Sequence, residues 1–253
     1  SFYASASSVI MAGAKPVFCD CDNRYQIDVN KIEQKITKKT KVILPVHWGG
    51  ASPDMKAVIK IANKYNLKVV EDACMGIGAK INHKSPGTFG HVNAFSMHPL
   101  KSLNVMGDGG AVVTNNSKIY NWMKKYRNHG MIDRDNIEFW GVNVRMQPLQ
   151  AIVAMENLKK LNTVIKKRHR NAMFYDKFLT SNKLKNFITI PQRPSDFSET
   201  YALYMILCKK RNQLKAFLES KRIEVKIHYP KPLHLQKASF SPVSYTHLRA
   251  HET

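Results

Sequence analysis

Lys101 and Asp72 are the residues whose types and surroundings carry the most chemistry in this sequence. Lys101 closes the run Phe95-Ser96-Met97-His98-Pro99-Leu100-Lys101 just ahead of a Gly107-Asp108-Gly109-Gly110 turn, and Asp72 ends Val69-Val70-Glu71-Asp72. An amine delivered by a strand to a tight turn can form an imine with an aldehyde. A carboxylate at another strand end can keep a pyridine nitrogen protonated, so that the ring draws electrons. Pyridoxal phosphate (PLP) carries both the aldehyde and the pyridine, and these two residues suit it. The plainer readings are a surface lysine, common in a lysine-rich chain, and an aspartate capping a helix.

Apolar runs alternate with helical patterns around this pair. Residues 16–20 read as a strand, 30–36 as a short helix and 42–47 as the next strand. Ser52-Pro53-Asp54 offers a cap and an early proline to an amphipathic helix through Asn66, with Met55, Val58, Ile59 and Ala62 inward. Strands follow at 68–72, 94–97 and 111–114. The alternation predicts an α/β fold of three layers, its mainly parallel sheet covered on both faces. Ligands of such sheets bind at the carboxyl ends of the strands, where Asp72 and Lys101 both fall. Residues 147–161 and 164–179 read as two long helical stretches. A strand over 201–208, a helix over 212–220 and a strand over 223–228 predict a smaller C-terminal α/β domain, with a surface loop at 191–195 between.

A chain of 253 residues with 43% apolar content can bury a substantial core. Its net charge of +22, from 40 basic and 18 acidic residues, is spread along the chain, as at Lys124-Lys125 and Lys166-Lys167-Arg168. No Arg- or Gly-rich tract, zinc spacing or aromatic RNA-binding motif accompanies it, so the expectation is a solvated basic surface suited to a phosphorylated substrate, with no nucleic-acid partner. Cys19 and Cys21 share a face of the first strand, where thiols are usually core, and with Cys74 and Cys208 they form no paired Cys-x-x-Cys knuckle. His47, His83, His91 and His98 lack the i, i+4 spacing of helical ligands, so no metal is expected; His98 either borders the cofactor or packs. With neither a secretory leader nor a membrane-length apolar run, the expected compartment is the cytoplasm, with no membrane partner.

The chain resembles the DegT/StrS-type sugar-nucleotide aminotransferases from Ser1 to about Gln236. The resemblance is carried in consistent order by Ala12-Gly13-Ala14-Lys15-Pro16-Val17-Phe18, Glu71-Asp72-Ala73, the Lys101 run, Gly107-Asp108-Gly109-Gly110-Ala111, Arg127-Asn128-His129-Gly130, Asn143-Val144-Arg145-Met146 and His228-Tyr229-Pro230-Lys231-Pro232-Leu233-His234. It implies fold type I of the PLP enzymes. It makes Lys101 the imine lysine and proton shuttle, and Asp72 the partner of the pyridinium nitrogen. Ser96 would bind the cofactor phosphate and Phe2 would stack on the ring, unless they are a strand-end serine and a core phenylalanine. Asn143 would reach across a homodimer interface to the phosphate of the partner's cofactor, giving shared active sites. Arg145 would assist that phosphate or a substrate carboxylate, or else be a surface ion-pair partner. The implied reaction is two half-transaminations, from an amino donor such as glutamate to a keto-sugar carried on a nucleotide diphosphate, in amino-sugar or surface-polysaccharide biosynthesis. Lys101 separates the chain from the dehydratase branch, which carries histidine there.

Two departures qualify the resemblance. Met75 stands where the family usually has Gln or His against the cofactor ring, and a thioether cannot donate a hydrogen bond to the phenolic oxygen. This keeps open a different class, a PLP-binding regulatory or sensory relative without turnover. The chain also opens on Ser1-Phe2-Tyr3, past the family's phosphate-binding turn, so the sequence reads as a crippled fragment of a longer enzyme. The expected organisation is an N-terminally truncated PLP-binding large domain over 1–160, a connecting helix and small domain over 161–242, and a non-native, adapter-derived tail over 243–253.

Overall fold

Strand β2 (Lys68–Asp72) is the spine of the molecule in a computed structural model that describes residues 2–180 and 184–240. Period-two alternation puts Val69 and Glu71, both buried, on one face and leaves Asp72 on the other. On one side β2 pairs in parallel with β1 (Val42–Ile43), and Val46 bridges to Asp72 one step farther on. Helix α3 (Met55–Lys64) connects the two strands. Its first turn is capped by Asp54, whose carboxylate accepts from the Ala57 N–H at 3.0 Å. Met55, Val58 and Ala62 are buried along one stripe and meet Ile32, Ile43, Leu67 and Val69 in the main core. Each of the larger of these side chains contributes about 1.5–3 kcal/mol by leaving water. The helix ends where Asn66 turns left-handed, at φ 52°.

On its other side β2 pairs in parallel with β4 (Val92–Ser96), and β4 pairs antiparallel with β5 (Gly110–Val113), giving the order β1-β2-β4-β5. A mainly parallel sheet is thus what forms. Ahead of it lie helices α1 (Tyr3–Met11) and α2 (Val29–Ile32). Strand β3 (Lys80–Ile81), between β2 and β4 in the chain, pairs antiparallel with the later β7 (Phe197–Ser198). Beyond β5 come α4 (Ser117–Tyr126), α5 (Pro148–Leu179), β6 (Ile188–Thr189), which pairs with β8 (Leu207–Cys208), and α6 (Arg211–Ser220).

Several expected elements take another form. Residues 16–20 make no strand: among the described residues the nearest β-bridge is Cys21 to Ile27, just past the segment. Cys19 is therefore half-buried and Cys21 exposed, rather than both lining a core strand. The two helical stretches are one, α5, running 32 residues or about 48 Å. Asn162 and Thr163 do not stop it, since neither glycine nor proline intervenes, and a reciprocal cap between Gln147 and Gln150 starts it. Of residues 201–208 only the last two are strand. Thr200 and Leu203 spend their amides on Gly50 and Gly49 at 2.9 and 3.0 Å instead. Residues 223–228 find no neighbouring strand and stay irregular. The tail over 243–253 lies outside the described residues.

Candidate active site

Asp72 and Lys101 are set by β2 and β4, the two central parallel strands. Asp72 is the last residue of β2, and its main chain is tied on both sides. Its N–H donates to the Pro45 carbonyl at 3.0 Å, its carbonyl accepts from the His47 N–H at 3.0 Å, and the next amide, Ala73, donates to Ala94 on β4 at 2.9 Å. The half-buried carboxylate accepts the Ser5 hydroxyl at 2.5 Å and the Cys74 amide at 3.2 Å. Lys101 follows the end of β4 by five residues and donates its amide to the His98 carbonyl at 2.8 Å. Behind it Ser102, Leu103 and Val105 are buried, and the Met97 carbonyl accepts from the Val105 amide at 3.1 Å, so the lysine rides on an anchored turn. The Met97 amide in turn reaches the Gly109 carbonyl at 2.8 Å.

Cys74 reports on both charges. Burial and the Asp72 carboxylate push its thiol up to about 12, while the Lys101 ammonium draws it back down. The acid and the amine therefore act on one spot, and the thiol there stays protonated. Ser96, at the end of β4, accepts the His98 amide on its hydroxyl at 3.3 Å and is half-buried.

An aromatic group stands near the first helix. Phe2 caps α1 at 39% exposure, its ring centroid 4.0 Å from Tyr3 and 6.4 Å from Tyr229, which lies 5.5 Å from Trp48. Met75 is fastened rather than idle: its sulfur accepts the Gly49 amide at 3.3 Å and its carbonyl accepts the Thr200 hydroxyl at 3.0 Å. Gly49 sits at φ 70°, and a Cβ there would lie 2.7 Å from the Met205 methyl. Asn143 and Arg145 make their contacts with the Asn128 turn, the first through a strand bridge and the second through Nη1 donating to the Asn128 amide oxygen at 2.7 Å.

Sequence reasoning passed over the pair beneath Asp72. His47 and Glu71 are fully buried, with Nε2 donating to Oε2 at 2.8 Å, while Nδ1 meets the Ser52 hydroxyl at 3.0 Å. Glu71 also accepts the amides of Gly87, Phe89 and Gly90 at 2.8, 2.7 and 2.5 Å. Burial pushes its carboxyl up, but hydrogen bonds from His47 and from the Gly90 and Gly87 amides outweigh it, and the net shift is downward. Ser5, Trp48 and Tyr229 were missed as well. The Glu71-Asp72 doublet and the His47-Trp48-Gly49-Gly50 turn were the available signals.

A second ionic group joins distant parts of the chain. Arg193 pairs with Asp176 of α5, Tyr204 donates to Asp176 at 2.7 Å, and Arg193 and Arg24 approach Glu199 at 4.0 and 3.8 Å. It borders a cavity of about 10 Å³, room for a single water, walled also by Trp48 and Tyr201. A larger groove of about 620 Å³ lies along α5 at Ile165, Lys166, His169 and Arg170. Neither cavity is lined by Asp72 or Lys101. Among the described residues no three His, Cys, Asp or Glu side chains are grouped to hold a metal, and no helix is long and apolar enough to cross a membrane.

A mixed sheet that offers an acid and a lysine at neighbouring strand ends defines the class: an α/β protein of the PLP-transferase kind, fold type I. The chain belongs to the DegT/DnrJ/EryC1/StrS aminotransferase family, whose model matches residues 1–253. It is 35% identical over 246 residues to a pleiotropic regulatory protein of Geobacillus stearothermophilus, covering 97% of this chain and 66% of that one. It is 34% identical over 248 residues to the UDP-N-acetyl-3-dehydro-alpha-D-glucosamine 3-aminotransferase of Acidithiobacillus ferrooxidans, covering 98% and 66%. Among solved structures, NtdA of Bacillus subtilis with bound cofactor PMP superposes at a TM-score of 0.85 with 32% identity, over 94% of this chain and 55% of that one. The chain thus spans just under two thirds of the length of the two curated relatives.

Proposed function

We propose that the protein is a PLP-dependent aminotransferase that moves an amino group from glutamate to a keto-sugar carried on a nucleotide diphosphate. It works as a cytoplasmic homodimer with shared sites. The observation that carries this reading is the placement of Asp72 at the carboxyl end of β2 and of Lys101 on the turn that follows the adjacent parallel strand β4. The residues fit PLP. Asp72 is half-buried and held by two donors, with lone pairs left over for a pyridinium N–H, and Lys101 is a half-buried amine on an anchored turn.

When bound, PLP supplies an aldehyde and an electron-withdrawing ring. Lys101 would hold the cofactor through its amine and, once the donor's amine has displaced it, would be free as the base that takes the proton from the donor's α-carbon and delivers it to the cofactor carbon. Asp72 holds the proton on the ring nitrogen, and the Ser5 and Cys74 contacts keep its carboxylate oriented. Ser96 offers its hydroxyl to the cofactor phosphate, Phe2 and Tyr229 wall the ring, and Asn143 with Arg145 serves the partner's site. The excess of basic side chains favours a diphosphate and donor carboxylates. The relative from Acidithiobacillus, an aminotransferase of a UDP-linked keto-sugar, supports the substrate class.

Adding glutamate to PLP-loaded protein tests this. The visible absorbance of the lysine-bound cofactor should give way to that of the amine form, and a nucleotide-linked keto-sugar should restore it. A second reading, a regulatory PLP-binding protein, is favoured by the capture of the Met75 sulfur by Gly49 and by the regulatory relative from Geobacillus. It requires that glutamate leave the spectrum unchanged.

A further inference from the structure

We propose that His47 and Glu71 are a positioning pair that fixes the bearing of Asp72 from the opposite face of β2. This rests on the reading of Asp72 as the partner of the ring nitrogen, and it assigns a role to two buried ionisable groups that the reaction itself does not use.

Neither side chain touches the Asp72 carboxylate. Alternation along β2 points Glu71 to the α3 side and Asp72 to the other. What the pair controls is the main chain that presents Asp72. The Glu71 carboxylate draws in His47, which begins the turn after β1, and the amides of Gly87, Phe89 and Gly90, which form the loop before β4. The turn lies beside Asp72, and the loop leads into the strand whose Ala94 is paired with Asp72. The His47 amide is the donor to the Asp72 carbonyl, and β4 supplies the Ala94 carbonyl that receives the Ala73 amide. A single carboxylate thus ties the turn after β1, at the level where β2 ends, to the loop that leads into β4, at the level of Val69. Ser52 holds the other edge of the imidazole and leaves the ring one orientation. The same turn carries Gly49, whose amide grips Met75, so the pair governs two walls of the site.

The backbone is shaped for this grip. Gly87 lies at φ 80°, and a Cβ there would stand 2.2 Å from the Phe95 ring, so only glycine brings that amide to the carboxylate. Five contacts between 2.5 and 3.0 Å on a His–Glu–Ser set with no exposed surface to spare amount to a satisfied polar network. An apolar pair leaves the Gly87, Phe89 and Gly90 amides without their acceptor. A merely structural role would therefore quicken exchange throughout the core, α3 included, whereas positioning quickens it first at Asp72 and Ala73. That contrast separates positioning from a merely structural role.

The test compares Glu71→Gln, the double variant His47→Leu/Glu71→Leu and Ser52→Ala with the unmodified protein. Amide hydrogen exchange is followed in cofactor-free protein and PLP affinity by titration. In the double leucine variant, exchange at Val58 and Ala62 of α3 should stay near the unmodified rate, while exchange at Asp72 and Ala73 should quicken at least tenfold and PLP affinity fall at least tenfold. Glu71→Gln should move the same way, and Ser52→Ala, the mildest change, about twofold to threefold. Unchanged exchange at Asp72 and Ala73 in the leucine pair or, should that variant not fold, in Ser52→Ala would overturn the proposal. Failure of the unmodified protein to bind PLP would sink the aminotransferase reading instead, and the exchange rates would still decide whether the pair positions Asp72.

Discussion

Glu71 is fully buried and Glu199 mostly so, yet their surroundings drive the two acids in opposite directions. Glu71, in the sheet, accepts four hydrogen bonds of 2.5–2.8 Å, and its carboxyl falls below the ordinary range despite full burial. Glu199, in the 190–205 segment, has only Arg24 and Arg193 at 3.8 and 4.0 Å, and burial pushes it up against those charges. The arginines gain little from it either: Arg24 Nη2 and Arg193 Nε are buried without a hydrogen-bond partner. Short, directed donors offset the loss of water around a carboxylate, and cations at 4 Å do not. The sheet end below Asp72 is therefore held through its acid, and the 190–205 segment through other bonds, those of Thr200, Leu203 and Arg193.

That contrast can be broken by substitution. Glu71→Ala strands His47 and three amides in the interior and should cost about 3–5 kcal/mol in urea unfolding; a cost below about 1 kcal/mol would erase the distinction. Arg193→Ala leaves Asp176 without its paired cation and Glu199 with Arg24 alone, and should cost about 1–3 kcal/mol. Glu199→Gln removes a poorly served charge and should change stability by less than about 1 kcal/mol, or raise it.

The pH dependence sharpens the comparison further. Glu71 has its folded value depressed below 4.5, so its contribution is complete above 4.5 and is lost as pH falls through the folded value. Glu199 has its folded value raised above 4.5, so stability is lost as pH climbs from 4.5 through that higher value. Chemical unfolding across this range should show the Glu199 slope vanish in Glu199→Gln, while the acid-side loss persists until Glu71 is replaced.

The sequence showed which residues fall at strand ends better than it showed the contacts between elements. Asp72 and Lys101 were legible because each closes a short apolar run, and a parallel sheet presents such ends together. Helix α3 was legible from Asp54 and the Met55-Val58-Ala62 stripe. Ser5 was not, because its bond to Asp72 spans 67 residues and depends on where α1 comes to rest. The strands expected at 16–20 and 223–228 had suitable composition but no neighbour to pair with, and pairing is a tertiary fact that composition does not carry. The helical stretches expected at 147–161 and 164–179 are joined in α5, because Asn162 and Thr163 do not end a helix without glycine, proline or a cap. Glu71 was seen as part of a motif, but its four donors come from two stretches of chain, His47 and the 87–90 loop, both distant in sequence.

The central claim is that Lys101 is the amine that captures the cofactor. Protein mixed with PLP, reduced with borohydride and digested for mass spectrometry should carry one phosphopyridoxyl group, on Lys101, and Lys101→Ala should carry none. Label scattered over the many other lysines, or retained at full stoichiometry after Lys101→Ala, would contradict the account.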